Sequence, residues 1–306
     1  MEVAYTKFED LVEKCKQNPH INTVAVAGAA DEHVLGAVVE AEKIGLVKPV
    51  LIGEEQEIRS LLKKSGEDPD HYRIVDAQTP ADCGIEAVEL IKKGEAEFIM
   101  KGMVDTKDVL KPLVKKENGL HTGRSMCVFS YNEVPQMNKL LALADGGMIM
   151  YPTLEQKRDI ILNSVEALHK LGIENPSVAV LAPVEKVNPK MVETTDAAAL
   201  VEMNKNGEIP GCEVVGPISY DIAMSKEIAQ TKKFDCPYCG DFDMLLFPNM
   251  AAGNMTHKAM IICGGTKMAG VVVGAKVPVV LTSRGASTEE KFVSLALASL
   301  ISGKEK

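Results

Sequence analysis

Tryptophan is absent from this 306-residue chain, and aromatic residues make up only 4% of it. The core must therefore be aliphatic, built from Val, Leu, Ile, Ala and some of the 15 Met residues. Basic residues are also in deficit, because 34 Lys and Arg stand against 43 Asp and Glu and give a formal net charge of -9. A protein that binds duplex nucleic acid needs a basic face to neutralise phosphates. We therefore expect no nucleic-acid partner.

No apolar run approaches the roughly 18 residues of a membrane span, so no membrane association is expected. The N-terminal segment MEVAYTKFEDLVEKCK is acidic and amphipathic, and it lacks the basic and apolar regions of a signal peptide. Seven scattered Cys residues, an odd number, favour a reducing compartment over a disulfide framework. Together these absences predict a cytoplasmic protein.

The sequence does contain a repeated alternation of short β-branched runs and longer segments of helical periodicity. This alternation predicts βαβ units and an α/β fold with mostly parallel sheets covered by helices. Eleven strands are many for one open twisted sheet, so two domains fit better. The strands are expected at residues 23–29, 49–53, 73–76, 97–100, 126–130, 139–144, 177–182, 213–215, 243–247, 270–273 and 277–282.

Three local features refine this expectation. The strands within residues 126–144 are joined by a short connection, which predicts an antiparallel hairpin. The helix expected at residues 153–171 ends with Gly172 as its C-cap. The helix expected at residues 287–302 turns three apolar side chains inward, namely Phe292, Leu295 and Leu300.

Ligands of open α/β sheets bind outside the carboxyl ends of the strands, so the strand-to-helix turns are the places to search. The turn FIMKGMVDTKDVLKPL offers cations and a helix N-terminus, which together suit an anion. The polar residues of this turn are Lys101, Asp105, Thr106, Lys107 and Lys111. The alternative is that Asp105 or Thr106 only caps the helix and that the lysines are solvated.

In a second turn, LLFPNMAAGNMTHKAM, we expect a polar loop over residues 249–256 that contains Gly253, Asn254 and Thr256 and then opens a helix. Gly253 allows close backbone approach to a ligand, and Asn254 and Thr256 offer donors at the positive helix end. The alternative is an ordinary Asn or Thr N-cap, but the length and polarity of the loop favour anion binding. The turn at Gly28 carries a weaker signal, because a lone glycine after a strand usually serves only the turn.

A third turn, VPVVLTSRGASTEEKF, places Ser283 and Arg284 at the end of an apolar strand, before Gly285. Arginine makes bidentate contacts with phosphate or carboxylate, which makes Arg284 a candidate anion-binding residue. Ser287 and Glu290 have the spacing of an S-x-x-E capping box, so Glu290 has a structural role to weigh against a catalytic one.

Cys236 and Cys239 form a C-x-x-C pair, the spacing of many redox and zinc sites. Redox pairs of this kind follow a strand and open a helix, whereas the flanks here predict a loop. A zinc site needs two further ligands at suitable spacing, and Cys263 and His257 fit no such pattern. We expect neither redox nor metal chemistry from this pair, and its role stays open.

The quoted turns, together with PISYDIAMSKEIAQTK and LLALADGGMIMYPTLEQK, resemble the phosphate acetyltransferase/phosphate butyryltransferase family. The similarity runs from about residue 20 to about residue 300 with the motifs in the family's order. The central segments are more similar to the butyryl branch than to the acetyl branch. The resemblance implies two αβα domains with mostly parallel sheets and an active-site cleft between them, similar to the isocitrate/isopropylmalate dehydrogenase architecture.

The resemblance also implies domain limits and an assembly. One domain would contain residues 1–128 and 270–306, and the other would contain the middle segment, residues 129–269. Family members pair as dimers, which implies a homodimer or a higher homo-oligomer.

Residue by residue, the family's catalytic Ser-Arg pair corresponds to Ser283 and Arg284, and its acidic base to Glu290. Some members have Asp at that last position. The Asn of the family's G-N-x-x-[HY]-K segment corresponds to Asn254, and its anion-binding cation to Lys111, where many members have Arg. Thr106, Gly253 and Thr256 complete the expected phosphate- and coenzyme A-binding set. A Cys of some acetyltransferases corresponds to Gly146, so no thiol chemistry is expected there.

The implied activity is transfer of a short acyl group, butyryl for preference, between coenzyme A and inorganic phosphate in one ternary complex. Acyl-CoA, phosphate and acyl phosphate would be the small-molecule partners, with coenzyme A as a substrate, no bound cofactor and no metal. The first alternative is a phosphate acetyltransferase. Further alternatives are an NAD-dependent dehydrogenase of the same fold, which needs an Asp cluster that is not seen, and a non-catalytic acyl-CoA-binding protein.

Overall fold

A computed structural model gives the structure of the chain and describes residues 5–282 and 285–303. The catalytic pair predicted from the sequence, Ser283 and Arg284, lies outside the described residues. The strands are β1 (Thr23–Ala27), β2 (Lys48–Gly53), β3 (Arg73–Asp76), β4 (Phe98–Lys101), β5 (Cys127–Glu133), β6 (Leu141–Ala144), β7 (Ser177–Leu181), β8 (Glu213–Ile218), β9 (Met244–Leu246), β10 (Lys267–Val273) and β11 (Val279–Val280). Each lies at one of the positions predicted from the sequence.

The helices occupy the segments between most of these strands. They are α1 (Phe8–Lys16), α2 (Glu32–Lys43), α3 (Glu55–Lys64), α4 (Pro80–Lys92), α5 (Thr106–Val114), α6 (Leu154–Lys170), α7 (Val192–Lys205), α8 (Tyr220–Met224), α9 (Lys226–Thr231), α10 (Met250–Gly264) and α11 (Thr288–Ser302). The prediction of a mixed α/β chain with mostly parallel strand pairing is confirmed. In the described part of the chain, no helix combines the length and hydropathy that a membrane crossing requires.

The chain forms two compact units. The middle unit comprises residues 5–7 and Arg124–Met268, and the terminal unit comprises Phe8–Gly123 and the described residues from Ala269 onward. In the terminal unit the strand order is β3-β2-β1-β4-β11-β10, and in the middle unit it is β5-β6-β9-β7-β8. β1 pairs in parallel with both β2 and β4, and β9 pairs in parallel with both β6 and β7. The carboxyl ends of these strands therefore meet at one edge of each unit's sheet.

Both cores are mainly aliphatic, as the low content of aromatic residues predicts. β1 is buried from Val24 to Ala27, and β4 is buried throughout. Parallel strands covered on both faces lose the alternation of apolar and polar side chains, which explains these continuous apolar runs. In the middle unit, Leu143, Leu245 and Phe242 belong to one buried cluster.

The predicted hairpin is confirmed, because β5 and β6 pair antiparallel with Ser130 opposite Leu143. A second antiparallel pair, β10 with β11, was not anticipated and places Val271 opposite Val280. Its cause is visible in the sequence, since residues 274–278 are far too few for the crossover that a parallel pair needs. The segment VVVGAKVPVVL is apolar on both sides of this turn, so a prediction based on hydrophobicity alone does not detect the turn.

Two details of the predicted helices are wrong. The C-cap of α6 is Leu171, and Gly172 follows it with a φ of +92°. Glycine still has a reason to be there, because the residue after a C-cap often adopts the left-handed conformation. On α11, Leu295 is fully buried, whereas Phe292 and Leu300 are only partly buried.

Candidate active site

The turn after β4 supplies the predicted anion-binding residues of the terminal unit. Thr106 is the first residue of α5, and Lys111 lies in its last turn; both are exposed. Asp105 is the N-cap by backbone position, but its side chain makes no capping hydrogen bond. The Asp108 N–H donates to the Asp105 carbonyl oxygen at 2.9 Å, which leaves the N–H groups of Thr106 and Lys107 for an anion.

Lys101, which the sequence groups with the other cations of this turn, has a different role. Its side chain is buried, and Nζ donates hydrogen bonds to the carbonyl oxygens of Gly102 at 3.1 Å and Val104 at 3.2 Å. A buried ammonium that is held by backbone carbonyls stabilises the turn itself. Lys107 is exposed, and its Nζ lies 3.4 Å from the Asp105 carboxylate.

Gly28 and Gly102 let the turns after β1 and β4 pack directly on each other. Gly28 has a φ of +76°, and a Cβ on Gly102 would lie 2.1 Å from the Gly28 carbonyl oxygen. No other residue type fits this approach. Gly28 is therefore explained by packing, in agreement with the weak ligand signal of its turn.

Glu290 lies in the first turn of α11, where two roles were predicted from the sequence. Ser287 is the N-cap, and its Oγ accepts a hydrogen bond from the Glu290 N–H at 3.0 Å. Among the described residues, the Glu290 carboxylate returns no bond to Ser287, so the capping box is not completed. Burial raises the pKa of the Glu290 carboxyl, and the neighbouring Lys291 opposes that rise. A partly buried carboxyl with a raised pKa has the character of a general base or acid.

In the middle unit, α10 begins where β9 ends. Asn249 is the N-cap and accepts a hydrogen bond from the Ala252 N–H at 2.9 Å. The predicted loop over residues 249–256 is wrong, because the Asn249 cap starts the helix at Met250, and Gly253, Asn254 and Thr256 lie in its first two turns. The cap alternative is met by Asn249, which leaves Asn254 and Thr256 free of that role.

Gly253 and Asn254 both contact the turn that follows β6. Asn254 Nδ2 donates a hydrogen bond to the Gly146 carbonyl oxygen at 3.1 Å. A Cβ on Gly253 would lie 2.8 Å from the carbonyl oxygen of Asp145 and 3.0 Å from the Cα of Gly146. The glycine thus allows α10 to approach this turn closely, and Asn254 fixes the distance. Thr256 lies two residues further along the helix and is half-buried.

Asp145, which is not among the site residues predicted from the sequence, organises this turn. Its buried carboxylate accepts hydrogen bonds from four backbone N–H groups, those of Val128, Gly147, Met148 and Ile149, at distances of 2.7 to 3.2 Å. The available signal was the Asp-Gly-Gly triplet directly after the apolar strand segment LLALA, since Asp and Gly are strong turn formers. The carboxylate holds the turn in place for Gly253 and Asn254.

His257, one helical turn after Gly253, is fixed through a buried amide. Asn132 Nδ2 donates to the Leu141 carbonyl oxygen at 3.0 Å, which turns Asn132 Oδ1 towards His257 Nε2 at 2.7 Å. Burial lowers the pKa of His257 to about 4. At neutral pH the ring is therefore uncharged, Nε2 carries the proton, and Nδ1 is an acceptor.

Cys236 and Cys239 lie in the loop between α9 and β9, as predicted from their flanks. Cys239 is buried, and burial raises the pKa of its thiol to about 11. A thiol with a raised pKa is a poor nucleophile at neutral pH. Within the described ranges, no group of three or more His, Cys, Asp or Glu residues is arranged to hold a metal ion.

These turns carry the motifs of one family, and a comparison with known proteins agrees. A family profile described as Phosphate acetyl/butaryl transferase matches residues 78–299, and the chain belongs to this family. It is 41% identical over 298 residues to a phosphate butyryltransferase of Clostridium acetobutylicum. The match covers 97% of this chain and 99% of that relative.

It is also 41% identical over 277 residues to a phosphate acetyltransferase of Thermotoga maritima, which covers 90% of this chain and 94% of the relative. Among solved structures, a branched-chain phosphotransacylase from Enterococcus faecalis V583 superposes with a TM-score of 0.81 at 30% identity. That likeness covers 93% of this chain and 100% of the solved chain.

Proposed function

We propose that this acyltransferase moves a butyryl group, or a branched acyl group of similar size, between coenzyme A and inorganic phosphate. Transfer of an acyl group between these two acceptors is the activity of the family to which the chain belongs. The observation that carries the choice of acyl group is the near full-length match to a phosphate butyryltransferase. The name of the Enterococcus faecalis structure adds weight to a branched substrate.

The second candidate is phosphate acetyltransfer. An equal identity of 41% to the Thermotoga maritima phosphate acetyltransferase favours it, although over a smaller share of the chain. Coenzyme A is a substrate in both cases, and the proposal includes no cofactor and no metal ion.

We assign catalysis to Ser283, Arg284 and Glu290. Arg284 holds the phosphate through two parallel hydrogen bonds. Ser283 donates a hydrogen bond to the oxygen on which negative charge develops as the acyl carbonyl is attacked. Glu290 takes the proton from the coenzyme A thiol, which is a weak nucleophile until it is ionised. The raised pKa of Glu290 supports this role, because it brings the base nearer to neutral pH.

We assign substrate binding to Lys111 and Thr106 in the terminal unit, and to Gly253, Asn254 and Thr256 in the middle unit. The uncapped start of α5 and the exposure of Lys111 support anion binding there. The bond from Asn254 to Gly146 supports a fixed orientation of its amide towards substrate. Both substrates held in place at once make direct transfer possible without a covalent enzyme intermediate.

The proposal also concerns architecture and assembly. We propose two αβα domains of the isocitrate/isopropylmalate dehydrogenase type, with limits near residues 129 and 269, and a homodimer. The two compact units described above support the division into domains. Large exposed apolar side chains on α10 support an interface, since Met255 is 66% and Ile262 is 83% exposed.

The test is kcat/KM for acetyl-, propionyl-, butyryl- and isobutyryl-CoA with saturating phosphate. Each methylene that fits the pocket is worth about 1–3 kcal/mol, so butyryl-CoA should exceed acetyl-CoA by one to several orders of magnitude. If acetyl-CoA ties or wins, the chain is a phosphate acetyltransferase. If no acyl-CoA reacts with phosphate, the transferase assignment fails. EDTA should leave the rate unchanged if no metal takes part.

A further inference from the structure

The middle unit contains a cavity of about 470 Å³ at the sheet edge opposite to Asp145 and the start of α10. It lies at the amino ends of the parallel strands β6, β7 and β9, where Lys139, Ser177 and Asp243 precede or begin the strands. Its volume falls within the range of about 300–1,000 Å³ that small-molecule sites occupy. Three of the six Tyr residues of the chain, Tyr5, Tyr131 and Tyr238, line it, so we call it the tyrosine pocket.

Tyr131 gives the strongest sign that the tyrosine pocket takes a ligand. The residue is 1% exposed, and its ring packs on β5 at 6.0 Å from the ring of Phe129. The residue lines the pocket, and no hydrogen bond of its hydroxyl is found among the described residues. The hydroxyl is therefore available to a ligand that accepts or donates a hydrogen bond.

The charges of the pocket exclude one class of ligand. Lys139 Nζ lies 2.7 Å from Asp243 Oδ1 and 3.3 Å from Asp241 Oδ1. Asp243 Oδ2 also accepts hydrogen bonds from the N–H and the hydroxyl of Ser177, both at 2.8 Å. One ammonium between two carboxylates leaves the pocket with a net negative charge. A phosphate or carboxylate would therefore be repelled.

The remaining lining suits a flat ring with polar edges. Tyr238 is half-buried, packs 6.0 Å from the Phe242 ring and presents an aromatic surface on which a heterocycle can stack. The exposed amides of Asn138 and Asn175 lie at the rim, where each offers both donors and an acceptor. Leu140 and Ile173 add apolar area.

We propose that the tyrosine pocket is a second binding site, separate from the acyl-transfer site, for an uncharged planar heterocycle of the purine base or nucleoside class. The base stacks against Tyr238, its polar edge bonds the Tyr131 hydroxyl, and the rim amides contact the remaining donors and acceptors. A nucleotide binds more weakly than its nucleoside, because its phosphate meets Asp241 and Asp243.

Binding is measured by titration calorimetry with adenosine and guanosine, and by fluorescence. The chain has no Trp, so its intrinsic emission comes from six Tyr residues, half of which line the pocket. At least one nucleoside should bind saturably and should quench this emission. Tyr131→Phe keeps the ring and removes only the hydroxyl. The affinity of this variant for the nucleoside should be about 3- to 10-fold lower than that of the wild type.

Two controls separate the proposal from other outcomes. Tyr151→Phe, at an 81% exposed residue outside the pocket, should leave the nucleoside affinity unchanged. Asp241→Asn, at an exposed side chain, should reduce the difference between the affinities for adenosine and for adenosine monophosphate. Absence of saturable binding of both nucleosides, equal affinity in Tyr131→Phe, or a nucleotide that binds as well as its nucleoside would each overturn the proposal. The acyl-transfer assay is independent of these measurements.

Discussion

Glu290 is the residue for which the structure separates two roles that share one sequence pattern. An S-x-x-E spacing is produced equally by a capping box and by a cap with an unrelated acid at the third position. Here the Ser287 hydroxyl accepts from the Glu290 N–H, while the Glu290 carboxylate is not used by the cap. The backbone of Glu290 therefore serves the helix, and its side chain is available for chemistry.

Glu290→Gln should abolish most acyl transfer without loss of stability. The folded-state pKa of this carboxyl is raised, so the folded protein binds more protons than the unfolded chain above the ordinary pKa of 4.5, and stability falls as pH rises through that window. The neutral amide removes this cost, so the thermal midpoint at pH 7 should stay or increase. Kinetics and thermal melts of the same preparation check both expectations. Retained activity would remove Glu290 from the catalytic set.

The second prediction at the scale of residues concerns His257 and the dependence of stability on pH. Its folded-state pKa of about 4 lies below the ordinary value of 6.5, so the unfolded chain binds the extra proton first. This contribution to stability is complete above about pH 6.5 and is lost as pH falls towards 4, by about 3 kcal/mol at most. Urea unfolding of the wild type and of His257→Gln between pH 7 and pH 4.5 should show the smaller decline in the variant. Parallel declines would contradict the buried neutral ring.

At the scale of elements, the approach of α10 to the turn after β6 depends on a missing side chain. Gly253 lies against Asp145 and Gly146, and Asn254 bonds the same turn. Gly264, at the other end of α10, has only Thr266 Oγ1 near its Cβ position, at 3.8 Å. The fold therefore requires glycine at position 253 of this helix, whereas position 264 has room for a side chain.

Gly253→Ala should destabilise the protein, because its methyl group would meet the backbone oxygen of Asp145 at 2.8 Å. Displacement of α10 should also reduce acyl transfer, since the helix carries Asn254 and Thr256. Gly264→Ala is the matched control and should be neutral or stabilising by up to about 1 kcal/mol through helix propensity. Thermal midpoints and kcat/KM of both variants test this, and equal effects of the two changes would refute the close approach.

At the scale of the whole molecule, the proposed homodimer can be tested by measuring the molecular mass in solution. The chain mass is 33.0 kDa, and a homodimer doubles it. Light scattering on a sizing column should give twice the chain mass. Ile262→Glu, which places a charge on the most exposed large apolar side chain of α10, should shift the protein towards the monomer. Ile85→Glu, at a 47% exposed residue on α4, serves as the control. A monomeric wild type would exclude the dimer.

Local sequence patterns predicted much of the fold. The strand positions, the β5–β6 hairpin and the start of α6 at the Thr153 cap follow from residue period, short connections and capping chemistry, all of which are written in neighbouring residues. The β10–β11 pair was missed because the apolar runs on both sides favoured buried parallel strands, although Gly274, Lys276 and Pro278 in the short connection are typical of a turn. Asp145 was missed because its partners are backbone N–H groups, which every residue type supplies.

The sequence by itself determined an aliphatic α/β chain, its family and the turns that carry its polar chemistry, because composition, periodicity and ordered motifs are properties of the chain read in one dimension. Only the tertiary structure decided what each polar group does. It placed Lys101 inside its own turn, freed the Glu290 carboxylate from the cap, and made His257 neutral through burial beside Asn132. It also placed Tyr131 in the wall of a cavity. Burial and partners depend on residues that are distant in sequence, and they come together only when the chain is packed.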